Sequence, residues 1–231
     1  GRSVGRQRGQ LGGRVRDYEV SNHSEVNFDT TFAGIETGDA ILIVGSHIRW
    51  EAPLVNVRIR KAVKRGAQVF VVGSFWDTTY PAHFLGDELS VLGDVPQEIA
   101  DVFAQAEWPA IIMGGAALAK GALGAGLAFA DRFGLVKDGW NGFNVLHFSA
   151  ARMGGLMLGF AQQGGMADIA QAKPKVVISL GADEMDFEPY ADSLKVYIGH
   201  HGDKGAHLSL PHISEPTRQA EISLAVHPIQ T

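Results

Sequence analysis

At 231 residues the chain is long enough for one large α/β domain or two small ones, and 45% hydrophobic against 19% charged residues, with 29 glycines, describes a globular protein rich in tight turns. A formal charge of -5 argues against a general nucleic-acid binder, and the absence of cysteine excludes disulfides, thiolate zinc sites and cysteine-held iron–sulfur clusters from this chain. No apolar run approaches the ~20 residues of a membrane span, and the amino terminus lacks the apolar core of a signal peptide, so direct membrane insertion is not expected.

Residues 1–27 read as a flexible, basic and glycine-rich lead-in, because Arg2, Arg6, Arg8, Arg14 and Arg16 stand among glycines without apolar periodicity. Residues 39–73 then read as a complete strand–helix–strand unit. The apolar run 41–44 stops at Gly45-Ser46, where a parallel strand usually delivers the chain to a ligand. Pro53 suits the first turn of the following helix. Leu54, Val57, Ile59 and Val63 are its expected apolar stripe, and Arg58, Arg60, Lys61, Lys64 and Arg65 its wet face. Gly66 closes that helix and 69–72 form the second buried strand.

Neither a G-x-G-x-x-G fingerprint nor a P-loop follows Val44. Gly45, Ser46 and Arg49 therefore admit two readings: an anion cradle at a helix start, or a capped strand-to-helix turn. Glu51 is expected to pair with Arg49 or with Arg58. Ser46 beside His47 is no catalytic triad, since neighbouring positions rarely bring a hydroxyl to an imidazole and no orienting carboxylate can be assigned.

Residues 74–92 form a loop whose Trp76, Tyr80 and Phe84 plug onto the core. Ile99, Val102 and Phe103 give 96–106 helical spacing, ended by Trp108-Pro109, and 110–113 is a third strand closing on Gly114-Gly115. Residues 116–133 read as one helix in which Gly121, Gly124 and Gly126 permit close packing, and 144–158 as another, with Val145, Leu146, Phe148 and Met153 apolar. Further strands are 176–180, ending at Gly181, and 194–198, ending at Gly199. Alternating strands and helices imply an α/β fold: a mainly parallel, Rossmann-like open sheet with helices on both faces. Its ligand edge should collect Gly45, Gly73, Gly114, Gly181 and Gly199.

His200, His201, Asp203 and His207 have the composition of a metal site, but adjacent histidines on an extended chain point to opposite sides, so a solvated role is expected. Asp183, Glu184, Asp186 and Glu188 read as a solvated acidic loop without a nucleophile. Trp50, Trp76, Trp108 and Trp140 each admit a core or loop-anchoring role as readily as an interface one, and the loop positions of Trp76 and Trp140 favour the interface most for those two.

Several stretches occur in a telling order. They are Ala33-Gly34-Ile35-Glu36, Asp39-Ala40-Ile41-Leu42, Arg49-Trp50-Glu51-Ala52-Pro53 with Asn56, and Arg58-Ile59-Arg60-Lys61. Further on come Gly142-Phe143-Asn144-Val145-Leu146-His147, Leu180-Gly181-Ala182-Asp183-Glu184 and Gly199-His200-His201-Gly202-Asp203 with Gly205-Ala206-His207. In this order, over residues 28–207, the chain resembles the molybdopterin-oxidoreductase-like domain found in the largest iron–sulfur subunit of NADH:quinone oxidoreductase, respiratory complex I, in its bacterial form.

The resemblance implies a fold shared with formate dehydrogenases, in which the turn at Gly45, Ser46 and Arg49 held a pterin dinucleotide. In the complex I subunit that site is understood to be vestigial, so no cofactor, metal or catalytic residue is expected in this chain. The resemblance places the iron–sulfur clusters in a preceding amino-terminal part of the intact subunit. It implies other peripheral-arm subunits as partners, on the cytoplasmic side of the bacterial inner membrane. A fragment of an active molybdenum or tungsten oxidoreductase is the alternative, and a stand-alone nucleotide-binding regulatory module a third.

His47-Ile48 stand where related sequences read Asn-Pro. Residues 208–231 depart from the family pattern and resemble translated sequencing-adapter read-through, so they are expected to be foreign to it.

Overall fold

The computed structural model describes residues 27–148, 150–157, 169–180, 186–199 and 212–214. Those in 27–157 belong to one compact unit and those in 169–214 to a second. In chain order the first unit holds β1 (Ala40–Val44), the single turn α1 (Ile48–Glu51), α2 (Pro53–Lys64), β2 (Gln68–Val72) and β3 (His83–Phe84). It continues through α3 (Gln97–Gln105), β4 (Pro109–Met113), α4 (Gly115–Ala119), α5 (Leu123–Arg132), the hairpin β5 (Val136–Lys137) and β6 (Trp140–Asn141), β7 (Phe143–Val145) and α6 (Ala150–Met157).

Five strands form one parallel sheet in the order β3-β2-β1-β4-β7. Because side chains alternate along a strand, Leu42 and Val44 share a core with Phe103 of α3 and Phe129 of α5, while Ile41 and Ile43 pack with Val55, Ile59 and Ala62 of α2. Helices thus cover both faces, which is why the strands read as uninterrupted apolar runs. Register matters more for the site: Val44 lies level with both Val72 and Met113, so the turns at Gly45, Gly73 and Gly114 leave the sheet at one height.

The second unit contains its own parallel sheet, ordered β10-β9-β8, from β8 (Val176–Leu180), β9 (Leu194–Gly199) and β10 (His212–Ser214). The expected single edge is therefore corrected. Gly45, Gly73 and Gly114 share the edge of the five-stranded sheet, Gly199 ends a strand of the other sheet, and Gly181 lies outside the described residues.

Helix α2 begins at Pro53 and stops as expected at Gly66, whose φ of 105° allows Ala67 N to donate to Ala62 O and Gly66 N to Val63 O. Its inner face differs from the expected stripe: Val55, Asn56, Ile59 and Ala62 are buried, while Leu54 and Val57 are exposed. The buried Asn56 carbonyl accepts the Tyr80 hydroxyl at 3.0 Å, a partner that periodicity cannot supply. Burial pushes the Tyr80 hydroxyl well above its ordinary pKa, so it remains a donor.

Two other helices also depart from expectation. The single helix over 116–133 is broken at Gly121, whose φ of 77° lets Ala122 N reach Ala117 O. The helix over 144–158 begins only at Ala150, because Asn144 and Val145 belong to β7, paired with β4.

A 3-10 turn, Gly34–Thr37, ties α2 to the start of β1. Its Glu36 accepts hydrogen bonds from Arg58 and, at 3.0 Å, from Lys61 Nζ, while Arg65 lies 3.5 Å away. The Arg58 hydrogen bond, followed by that of Lys61, holds the Glu36 carboxyl below the ordinary value of 4.5. A carboxyl with a depressed folded pKa stabilises above its unfolded value and loses that contribution as pH falls below it. Glu36→Gln should therefore melt below the wild type at neutral pH, and thermal melts of the two should converge as pH drops through and beneath 4.5.

Candidate functional site

The β1–α2 crossover goes to one side of β1, and β4 lies on the other, which puts the sheet's topological switch point between β1 and β4. The two turns meeting there are packed backbone to backbone. Gly45 has φ 59°, and a Cβ on it would lie 2.5 Å from Ala117 N; one on Gly114 would lie 2.3 Å from Gly45 O. The crevice that doubly wound folds use for dinucleotides is closed by the chain itself.

Beside this contact, towards β2, lies a pocket of about 260 Å³. Gly45, Ser46, His47 and Glu51 line it from the β1 turn, Gly73, Ser74 and Trp76 from the β2 turn, and Asp87, Ala117 and Lys120 from beyond them. Two of its donors are already taken. Ser46 Oγ donates to Glu51 Oε2 at 2.6 Å and His47 N donates to Glu51 Oε1 at 3.1 Å, so Glu51 sits where an anionic ligand would use the same two groups. The His47 ring stacks on buried Trp76, with centroids 4.5 Å apart, and its Nδ1 is buried without a hydrogen-bond partner.

Of the three residues singled out from the sequence, Gly45 and Ser46 line the pocket and Arg49 does not. Arg49 Nη1 donates instead to Asp77 Oδ2 at 2.7 Å, in an exposed ion pair. The expected pairing of Glu51 with Arg49 or Arg58 is corrected: Glu51 caps its own turn, and Arg58 is held by Glu36. Asp87 and Lys120 were not foreseen as lining a pocket with Ser46. Glu51 carries no capping-box signal, since it stands five residues after Ser46 and such a box needs three.

Ser46 is a donor to a carboxylate and has no imidazole beside its hydroxyl, so the arrangement supplies no activated nucleophile. Asp186 Oδ1 accepts Glu188 N at 3.0 Å, the local role of an acidic loop. Asp183, Glu184 and the group His200, His201, Asp203 and His207 lie outside the described residues. Among the described residues no three histidine or carboxylate side chains cluster as a metal site, and no helix is long and apolar enough to cross a membrane. Of the core and interface roles left open for Trp76 and Trp140, both residues take the core one: they are buried, and Trp140 Nε1 donates to Pro109 O at 2.8 Å; the exposed tryptophan is Trp50.

These turns define a doubly wound, nucleotide-type α/β protein whose ligand edge is closed. The molybdopterin oxidoreductase family profile matches residues 4–211, and the chain belongs to that family. The match reaches back into the arginine–glycine start. Relatives include the NADH-quinone oxidoreductase G subunit of Rickettsia typhi, 33% identical over 196 residues, covering 81% of this chain and 28% of that one. Another is the mitochondrial NADH-ubiquinone oxidoreductase 78 kDa subunit of Neurospora crassa, 35% identical over 199 residues, covering 82% and 26%. The chain thus spans under a third of the length of these relatives. A formyltransferase/hydrolase complex from Methylorubrum extorquens has the same fold at a TM-score of 0.54 and 14% identity, over 82% of this chain and 65% of that one.

The family implies a pterin dinucleotide, and the residues here do not fit it. At about 260 Å³ the pocket stands near the lower limit of the roughly 300–1,000 Å³ typical of drug-sized ligands. Its carboxylates, Glu51 and Asp87, face only one cation, Lys120, where a pyrophosphate requires donors and positive charge.

Proposed function

We propose that the chain is part of the molybdopterin-oxidoreductase-like domain of the largest iron–sulfur subunit, the G subunit, of a proton-translocating NADH:quinone oxidoreductase. There it is a scaffold within an assembly that passes electrons from NADH to quinone, and has no redox centre of its own. The observation that carries this reading is Glu51 on the Ser46 and His47 donors: a carboxylate of the chain stands where a cofactor phosphate would have to bind. The bacterial and mitochondrial relatives and the absence of cysteine support it.

On this reading the chain alone is catalytically inactive, and iron–sulfur clusters are held by another part of the intact subunit. Its partners are other peripheral-arm subunits, and it is held peripherally at the cytoplasmic side of a bacterial inner membrane. Gly45, Ser46 and Arg49 are what is left of an ancestral anion site. The family match also supports a second reading, a fragment of an active molybdenum or tungsten oxidoreductase such as a formate dehydrogenase. Metal and pterin analysis of protein purified from a host that makes the pterin cofactor separates the two. The scaffold reading expects neither molybdenum nor tungsten above background.

A further inference from the structure

The chain carries a formal charge of -5, yet α2 has no acidic residue and bears Arg58, Arg60, Lys61 and Lys64, with Arg65 at its end. Glu36 engages Arg58, Lys61 and Arg65. Arg60 and Lys64 are exposed and make no ion pair among the described residues. Nearer the helix start Leu54 is 69% exposed and Val57 49%, and Trp50, on the turn leading into α2, is 78% exposed. Helical spacing puts Val57, Arg60, Lys61 and Lys64 on one stripe, with Leu54 one turn before Val57. The inner face of the same helix is already filled by Val55, Ile59 and Ala62, so the outer apolar residues are not displaced core.

We propose that this stripe is a docking surface for a partner protein that sets carboxylates beside apolar side chains. The carboxylates would face Arg60 and Lys64, and the apolar groups would cover Trp50, Leu54 and Val57. The charge pattern selects this occupant. A helix lying in a membrane surface needs an apolar stripe along its length with cations beside it, whereas here apolar and cationic residues follow one another end to end. A second copy pairing α2 against α2 brings no carboxylate from that helix to its cations. Exposed apolar side chains grouped in this way mark an interaction site, and tryptophan is enriched at the centres of such sites.

Trp50 is the exposed tryptophan, with Trp76 and Trp140 buried and Trp108 half-buried, so it reports the contact in solution and the Trp50→Phe variant separates its emission from that of Trp108. The full chain is titrated with a synthetic helical peptide of leucine and glutamate, its leucine–lysine counterpart, and phosphatidylglycerol vesicles, while sedimentation follows self-association. The glutamate peptide is expected to shift Trp50 emission to shorter wavelength in a saturable, salt-weakened manner. Arg60→Glu with Lys64→Glu should weaken that binding about tenfold or more, and Trp50→Phe should remove the signal. These positions are exposed, so the fold should persist, as circular dichroism would verify. An equal response to the lysine peptide, a response to vesicles in place of the peptide, concentration-dependent dimers, or no response to the glutamate peptide overturns the proposal.

Discussion

Gly114→Ala is expected to destabilise the protein by about 3 kcal/mol, at the upper end for an overpacked site. The backbone of Gly114 is extended, with φ -87° and ψ 165°, so alanine meets no conformational penalty there. The cost is steric. The added Cβ would stand 2.3 Å from Gly45 O and 2.5 Å from Ser46 Cβ, and the nearer atom is backbone held by Gly114 N donating to Val44 O at 2.7 Å. Relief requires the β1 and β4 turns to separate. Gly124→Ala is the matched control. It lies in α5, nothing stands within 4 Å of its Cβ position, and it should stabilise by about 0.5–1 kcal/mol as glycine's excess unfolded freedom is removed. Urea unfolding of the two variants, read from midpoints at constant slope, should move in opposite directions.

The second large effect is expected at Asn144, which is fully buried in β7. Its Oδ1 accepts Thr30 N at 2.8 Å, and its Nδ2 donates to Thr30 Oγ1 at 3.0 Å and Gly142 O at 3.1 Å. One amide thereby fastens the segment before the 3-10 turn to the sheet, beside the hydrogen bond from Val145 N to Asn27 O. Asn144→Leu keeps the branching at Cγ, with somewhat bulkier methyl groups, and removes every one of those bonds. An orphaned buried donor costs about 1–3 kcal/mol, so with Thr30 N stranded and its hydroxyl deprived of a donor the total loss should be about 3 kcal/mol. Hydrogen exchange at Thr30 should quicken more than exchange in β2, which does not depend on this amide. Equal acceleration across the sheet would contradict the local role.

The β1–α2–β2 crossover was legible in the sequence because each of its signals is local: the apolar runs, Pro53 at the helix start and Gly66 at its end. What failed was decided by distant partners. The expected stripe runs through Leu54, Val57, Ile59 and Val63, whereas the fold buries Val55 and Asn56, the latter because Tyr80 answers its amide. The helix expected from residue 144 gave way to a strand because Asn144 finds Thr30, far back along the chain, and Val145 pairs with Met113. At the site, Gly45 and Ser46 could be picked out by their place after a parallel strand. That Ala117 closes over Gly45, and that Asp77 draws Arg49 away, depends on loops whose positions follow only from the assembled sheet.

The central claim is that Glu51 and the Gly45–Ala117 contact fill the space and the donors a pterin dinucleotide would need. Its most direct test is the pterin content of the chain purified from a host that makes the cofactor, measured after denaturation and oxidation to the fluorescent pterin. The account predicts a yield no greater than that of an unrelated protein carried through the same preparation. A yield approaching one pterin per chain would contradict it.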